Sequence, residues 1–175
     1  QVMPGPHDTF AGYGLAWALT SNTPLRSTKM SAYEGGIRTP MIAHWPRVIK
    51  KGNELTNQPG HVIDFMATCL DLAGLKYPTE FRNRRPLPLE GKSLVPILRG
   101  EKRLGHEALG WATPRGRALI MGDWKIVRHA DKLPWELYDL STDPGETTNL
   151  AKNQPERVNE MATRYATWRQ RVGAR

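Results

Sequence analysis

The chain has 175 residues, a formal net charge of +8, 39% apolar residues, 16 glycines, 14 prolines and a single cysteine. That length allows one domain with a real core, or part of a domain with a smaller companion, and the dispersed Gly and Pro argue against a helical bundle and a collagen-like repeat. No apolar run approaches a membrane span, one cysteine excludes an internal disulfide, and the opening Gln1 to Phe10 lacks the form of a signal peptide.

Residues 1–28 read as an extended or looped approach anchored by Tyr13, Trp17 and Leu19. Lys29 follows, just ahead of Glu34-Gly35-Gly36-Ile37-Arg38, and then comes the apolar run Pro40-Met41-Ile42-Ala43, stopped by Pro46. This order puts a mobile cation beside a tight turn that feeds a strand. The unbroken apolar character of Met41 to Ala43 fits a strand covered on both faces, as in an α/β sheet. Asp64 stands where it would cap a short helix carrying Phe65, Met66, Cys69, Leu70 and Ala73, with Gly74 as the stop. Cys69 then reads as a buried structural thiol. The stretch from Tyr77 to Pro96 is rich in proline and charge and reads as a surface connection, with Ser93 to Leu98 as a short packed segment inside it.

The next pattern is β-rich. Arg117 to Met121 reaches a Gly122-Asp123 turn and resumes as Trp124 to Arg128, with Trp124 and Ile126 on one face and Lys125 and Val127 on the other. A further strand spans Trp135 to Leu140 and ends at Asp143-Pro144-Gly145. From Pro155 onward, Val158, Met161, Ala162, Tyr165, Trp168 and Val172 recur at spacings of three and four, which predicts a helix packed on the small sheet. Loss of a fully buried Trp168 would cost roughly 3–5 kcal/mol.

Among groups that carry chemistry, Lys29 has the most suggestive setting, because glycine lets backbone approach a ligand closely. A fixed ammonium holds an oxyanion and stabilises charge as an ester bond breaks; the plainer reading is a solvated lysine. The glycine pair lacks the spacing of a nucleotide-binding loop. Glu34 is placed to neutralise Arg38 or Lys29 or to cap nearby donors, Arg26 and Arg38 read as supports or anion contacts, and His44 as a packed or hydrogen-bonded histidine. His61 and Asp64 lack further ligands for a metal site. His7 with Asp8, His106 and His129 make no triad. With no metal cluster and no nucleophile beside a base, most of an active site lies outside these residues. The basic groups at Arg82 to Arg85, Arg99 to Arg103 and Arg115 to Arg117 are broken by prolines and acids, so a solvated basic face is expected in preference to nucleic-acid binding.

The motifs in order resemble the later part of a formylglycine-dependent arylsulfatase of the alkaline-phosphatase-like superfamily. Asn22-Thr23-Pro24-Leu25-Arg26, Lys29, Glu34-Gly35-Gly36-Ile37-Arg38-Thr39-Pro40 and Ile42-Ala43-His44-Trp45-Pro46 carry the resemblance. His61-Val62-Ile63-Asp64, Leu89-Glu90-Gly91-Lys92-Ser93-Leu94, Gly122-Asp123-Trp124-Lys125 and Leu137-Tyr138-Asp139-Leu140 extend it over nearly the whole chain. The resemblance implies an α/β fold class: residues 1–75 complete the large sulfatase domain, 76–104 connect, and 105–175 form a small antiparallel sheet covered by a C-terminal helix. It implies hydrolysis of sulfate esters by a formylglycine hydrate, with calcium, both supplied by a missing N-terminal catalytic portion. Lys29 matches the lysine that contacts sulfate, and Glu34, Gly35 and Gly36 match the adjacent structural turn. The chain alone is then expected to hold neither calcium nor formylglycine and to be inactive. Ala112-Thr113-Pro114-Arg115 departs from the acidic and histidine residues often found after the tryptophan matched by Trp111, which points to a different leaving-group pocket. The alternatives are a related phosphoesterase or phosphonate hydrolase, a noncatalytic companion domain, and a basic nucleic-acid-binding domain. The compartment stays open, a periplasmic or extracellular enzyme being compatible.

Overall fold

The computed structural model describes residues 12, 14–50, 52 and 54–174, so His7, Asp8 and Tyr13 lie outside the described residues. The elements run α1 (Gly14–Asn22), α2 (Glu34–Ile37), α3 (Asp64–Ala73), α4 (Val95–Leu98), β1 (Leu109–Thr113), β2 (Gly116–Met121), β3 (Trp124–Arg128), β4 (Glu136–Asp139) and α5 (Pro155–Val172). Two compact units divide them: one takes in the described part of Gln1–Thr39 and Ala108–Arg175, the other is Pro40–Glu107.

In the first unit the four strands form an antiparallel meander in the order β1-β2-β3-β4. Register follows from side-chain alternation, because a one-residue slip would turn the whole apolar set to the wrong face. Leu119 faces Ile126, which faces Leu137, and these bury against Met161 and Tyr165 of α5. Ala118, Val127 and Tyr138 bury on the other side against Ala32 and Tyr33. The C-terminal helix thus covers one face of the small sheet, as the resemblance implies, and a segment far upstream in sequence covers the other. β1 is an addition to what the residue pattern predicts. Its second residue, Gly110, lies under the indole of Trp168, where an added Cβ would overlap ring carbons. Trp168 is only half-buried, so the cost expected for a fully buried tryptophan is an upper bound here.

Three sequence expectations fail in physically informative ways. Residues 14–22 are helical rather than looped, since Leu15-Ala16-Trp17-Ala18-Leu19 is a run of good helix formers that ends ahead of Pro24. Leu15, Trp17 and Leu19 are exposed and anchor nothing among the described residues. Met41 to Ala43 form no strand, and Ile42 is 95% exposed. A buried strand needs neighbours to hydrogen-bond with, and none of the described strands pairs with this run.

In the second unit α3 has the expected span and Gly74 ends it in the left-handed conformation. Its buried face is Asp64, Ala67 and Thr68, which leaves Phe65, Met66, Leu72 and Cys69 exposed and overturns the reading of Cys69 as a buried thiol. Asp64 is the hub here, not the side-chain cap expected. Its Oδ2 accepts from the His61 backbone N–H and Arg103 Nη2, both at 2.9 Å, while Oδ1 accepts from the Lys92 N–H at 2.8 Å and meets His106 Nε2 at 2.7 Å. Leu94 and Val95, in the short segment expected to pack, are buried, and the Leu94 N–H donates to Thr68 Oγ1 at 2.9 Å.

Two tests follow from this packing. Gly110→Ala should destabilise the protein by about 1–3 kcal/mol through overpacking, and a smaller residue at position 168 should restore part of the loss, as read in a double-mutant cycle of denaturant melts. Burial raises the Asp64 carboxyl, but donors from Lys92, Arg103, His61 and His106 outweigh it and hold the group below its ordinary 3.8. A depressed carboxylate contributes stability that is present above the unfolded value and disappears as pH falls through the folded one. Protection of the α3 amides from hydrogen exchange should therefore drop on acidification below about 3.8, and Asp64→Asn should flatten that dependence while lowering protection at neutral pH.

Candidate functional site around Lys29

The backbone from Asn22 to Ile37 closes on itself. Asn22 Nδ2 donates to the carbonyls of Ser27 at 2.9 Å and Gly35 at 2.7 Å, and the Gly35 N–H donates to the Arg26 carbonyl at 2.8 Å. A Cβ on Gly35 would strike the Ser27 and Arg26 carbonyls, and one on Gly36 would strike those of Ser31 and Thr28. The glycine pair is needed because two stretches of backbone touch there. Ser27 and Met30, flanking Thr28-Lys29, hold φ of 69° and 74°. Left-handed conformations cost non-glycine residues about 1–2 kcal/mol each, so the surrounding contacts must hold them there. Lys29 itself is exposed and has no hydrogen-bond or ion-pair partner among the described residues.

The footing of this loop is buried. Ser31, Ala32, Tyr33 and Glu34 all lie in the interior, Ala32 beneath the β1–β2 turn, where it crowds Gly116. Glu34 Oε1 meets Lys125 Nζ at 2.8 Å, Lys125 meets Glu146 Oε1 at 2.8 Å, and Glu146 Oε2 accepts the Glu34 N–H at 2.7 Å. Two carboxylates thus share one ammonium in the interior, with Glu146 itself at a φ of 56°. Burial pushes the Glu146 carboxyl above the usual glutamate range despite the pull of Lys125. Beside the triad, the Arg26 guanidinium lies 4.1 Å from the centre of the Tyr33 ring and donates to Tyr138 Oη at 2.8 Å and Glu136 Oε2 at 3.2 Å. Burial, with the hydrogen bond to Glu136, raises the Tyr33 phenol to about 12.

This assigns roles that the sequence left open. Glu34 pairs with Lys125 rather than with Arg38 or Lys29, and Arg26 is a structural bracket. His44 is exposed instead of packed. His61 and Asp64 do come together, yet no group of three or more His, Cys, Asp or Glu able to hold a metal lies among the described residues. Lys125 and Glu146 were missed as supports. A lysine sharing a strand face with Val127 was the available signal, since a charge among apolar neighbours needs a buried partner. Lys29 presents an exposed ammonium, three donors and no acceptor, on this loop.

Residues 28–170 match the family described as N-sulphoglucosamine sulphohydrolase, C-terminal. The chain is 32% identical to an uncharacterized sulfatase of Schizosaccharomyces pombe over 175 residues, covering 97% of this chain and 31% of that protein. It is 34% identical to a sulfatase of Formosa agariphila over 151 residues, covering 78% of this chain and 27% of the relative. It therefore spans about a third or less of the length of these relatives. A solved Bacteroides thetaiotaomicron structure, described under metabolism of multiple glycosaminoglycans, superposes with a TM-score of 0.64 at 26% identity over 81% of this chain and 31% of the other. Ps i-CgsB in complex with k-i-k-neocarrahexaose gives 0.65 at 23% identity over 83% and 32%, a likeness of fold.

Removing the shared cation from the triad should be costly. Lys125→Met is expected to destabilise the protein by about 3–5 kcal/mol at neutral pH, because it leaves two carboxylates buried without a counter-charge. Denaturant melts should show that loss reduced in Lys125→Met combined with Glu146→Gln.

Proposed function

Because the chain belongs to the sulfatase family, through the C-terminal region matched over residues 28–170, we propose that it is the C-terminal part of an arylsulfatase in which Lys29 contacts the sulfate group. The observation that carries this reading is the exposed, unpaired ammonium of Lys29 on a loop fixed by the Gly35-Gly36 contact and footed on the Glu34–Lys125–Glu146 triad. Such a loop holds its cation without reorganising when a ligand arrives, which is the condition for electrostatic stabilisation of developing charge. Lys29 has no acceptor, so its part is donation and charge toward the nonbridging or departing oxygens of the ester. It is not the nucleophile.

The formylglycine and calcium implied by the resemblance belong, in this reading, to the upstream part of the protein. The described residues do not fit a divalent ion, since they offer no cluster of ligands. The chain by itself should accordingly give no turnover, with or without added calcium.

In the full-length enzyme, Lys29→Ala should lower kcat/KM for 4-nitrophenyl sulfate by about 100-fold or more, the scale of losing one oxyanion donor. The same variant should move Tm by no more than about 2 °C, because Lys29 supports no packing. An unchanged kcat/KM removes Lys29 from the site. Faster turnover of 4-nitrophenyl phosphate or its diester than of the sulfate would replace the sulfatase reading with a phosphoesterase one.

A further inference from the structure

On the sheet face opposite the Lys29 segment, register forces Arg117 and Arg128 to face each other across β2 and β3. Like charges directly opposite each other oppose strand pairing. One carboxylate answers them: Asp131 Oδ1 lies 3.2 Å from Arg117 Nε and from Arg128 Nη2, and 3.9 Å from Arg169 Nη1 on α5. Among the described residues three guanidiniums share that single acid, whose side chain is 47% exposed, which leaves two positive charges of the cluster without a described counter-charge. Next to them opens a cleft of about 530 Å³, with Arg128, Trp135, Tyr165 and Arg169 on its walls.

Two polar atoms at this cleft lack partners. Tyr165 is 2% exposed, and its hydroxyl finds no hydrogen-bond partner among the described residues; nor does the buried Nε of Arg128. Orphaned donors are rare in a folded interior and mark strain, function or an absent ligand. Trp135 adds an aromatic wall, with the Arg128 guanidinium 4.4 Å from its ring centre and Tyr165 edge-on at 5.1 Å. The C-terminal end of α5 also borders the cleft, but its dipole amounts to about half a negative charge, less than that arginine charge. Arg169 is further held by donating from Nε to the Ala174 carbonyl at 3.1 Å.

We propose that this cleft binds a sulfate, sulfonate or carboxylate group carried on a compact ring that lies against Trp135. The arginines supply charge in a fixed fork suited to planar and tetrahedral oxyanions. Trp135 supplies the wall for the ring, while the Tyr165 hydroxyl is itself sealed from solvent and outside the ligand's reach. Neither contribution uses Lys29, so this site stands or falls independently of the sulfatase reading.

The test is calorimetric titration of the full-length protein carrying Lys29→Ala, at low ionic strength, with benzenesulfonate, inorganic sulfate and phenol as probes. Benzenesulfonate should bind saturably in the millimolar range, more tightly than inorganic sulfate, and phenol should not bind. Arg169→Gln should weaken binding by about three- to tenfold, the scale of one hydrogen bond, and Trp135→Leu should weaken benzenesulfonate to a similar degree while leaving inorganic sulfate unchanged. Arg169→Gln should move Tm by no more than about 2 °C, because the Arg169 side chain is partly exposed; this separates lost binding from lost folding. Absence of saturable binding, equal binding by phenol, or affinity indifferent to both substitutions would overturn the site. Inorganic sulfate binding as tightly as benzenesulfonate would overturn the ring's part in it.

Discussion

The ion triad of Glu34, Lys125 and Glu146 is the constraint on which the sheet-bearing unit turns. It joins three places remote in sequence: the turn after Lys29, the start of β3, and the loop beyond β4. Buried charges gain little net stability over well-packed apolar groups, but they tolerate few alternative arrangements. An apolar contact at Lys125 would leave the position of the upstream segment to the Arg26 and Tyr33 bonds with Glu136 and Tyr138. Two carboxylates converging on one ammonium, with the Glu34 N–H held by Glu146 as well, fix it directly. The position of the free ammonium at Lys29 is inherited from that fixed point.

The sheet serves both of its faces through strict alternation. Ile126 faces the C-terminal helix, while Lys125 and Val127 face the upstream segment. β2, β3 and β4 each contribute to both cores, so the loop that carries Lys29 and the arginine-lined cleft are set by the same register and lie back to back. Arg117 and Arg128 are opposed for the same reason that Leu119 and Ile126 meet: the pairing which builds the apolar core also stacks the guanidiniums. Asp131, from the loop after β3, makes that pairing tolerable.

The sequence disclosed what local periodicity encodes. Helix α5 was legible because Val158, Met161, Tyr165 and Trp168 repeat at helical spacing, and the β2–β3 hairpin because its strands alternate around Gly122-Asp123. β1 was not legible, since Gly110 breaks the alternation to admit Trp168, a contact made from fifty-odd residues away. Glycine at positions 35 and 36 announced a close approach but not what is approached. The partner of Glu34 was hidden for a similar reason, as ninety-one positions separate it from Lys125. Cys69 and Met41 to Ala43 were misread because apolar character says that a residue is to be covered, not that the cover lies within these residues.

The second unit, Pro40–Glu107, is contiguous, whereas the first is assembled from segments on either side of it. This nesting sets an order of events as the chain is made. The inner unit can close as soon as Glu107 has emerged, since its hub at Asp64 draws partners only from within it. The outer unit must wait: Glu34 is synthesised early but stays an unpaired acid until β3 and the Glu146 loop arrive, and the sheet's other face stays open until α5 is complete. Contacts between distant segments form late because closing long loops costs entropy before any contact forms. Between the synthesis of Glu34 and of Glu146, the acid that later anchors the loop has no buried counter-charge to meet.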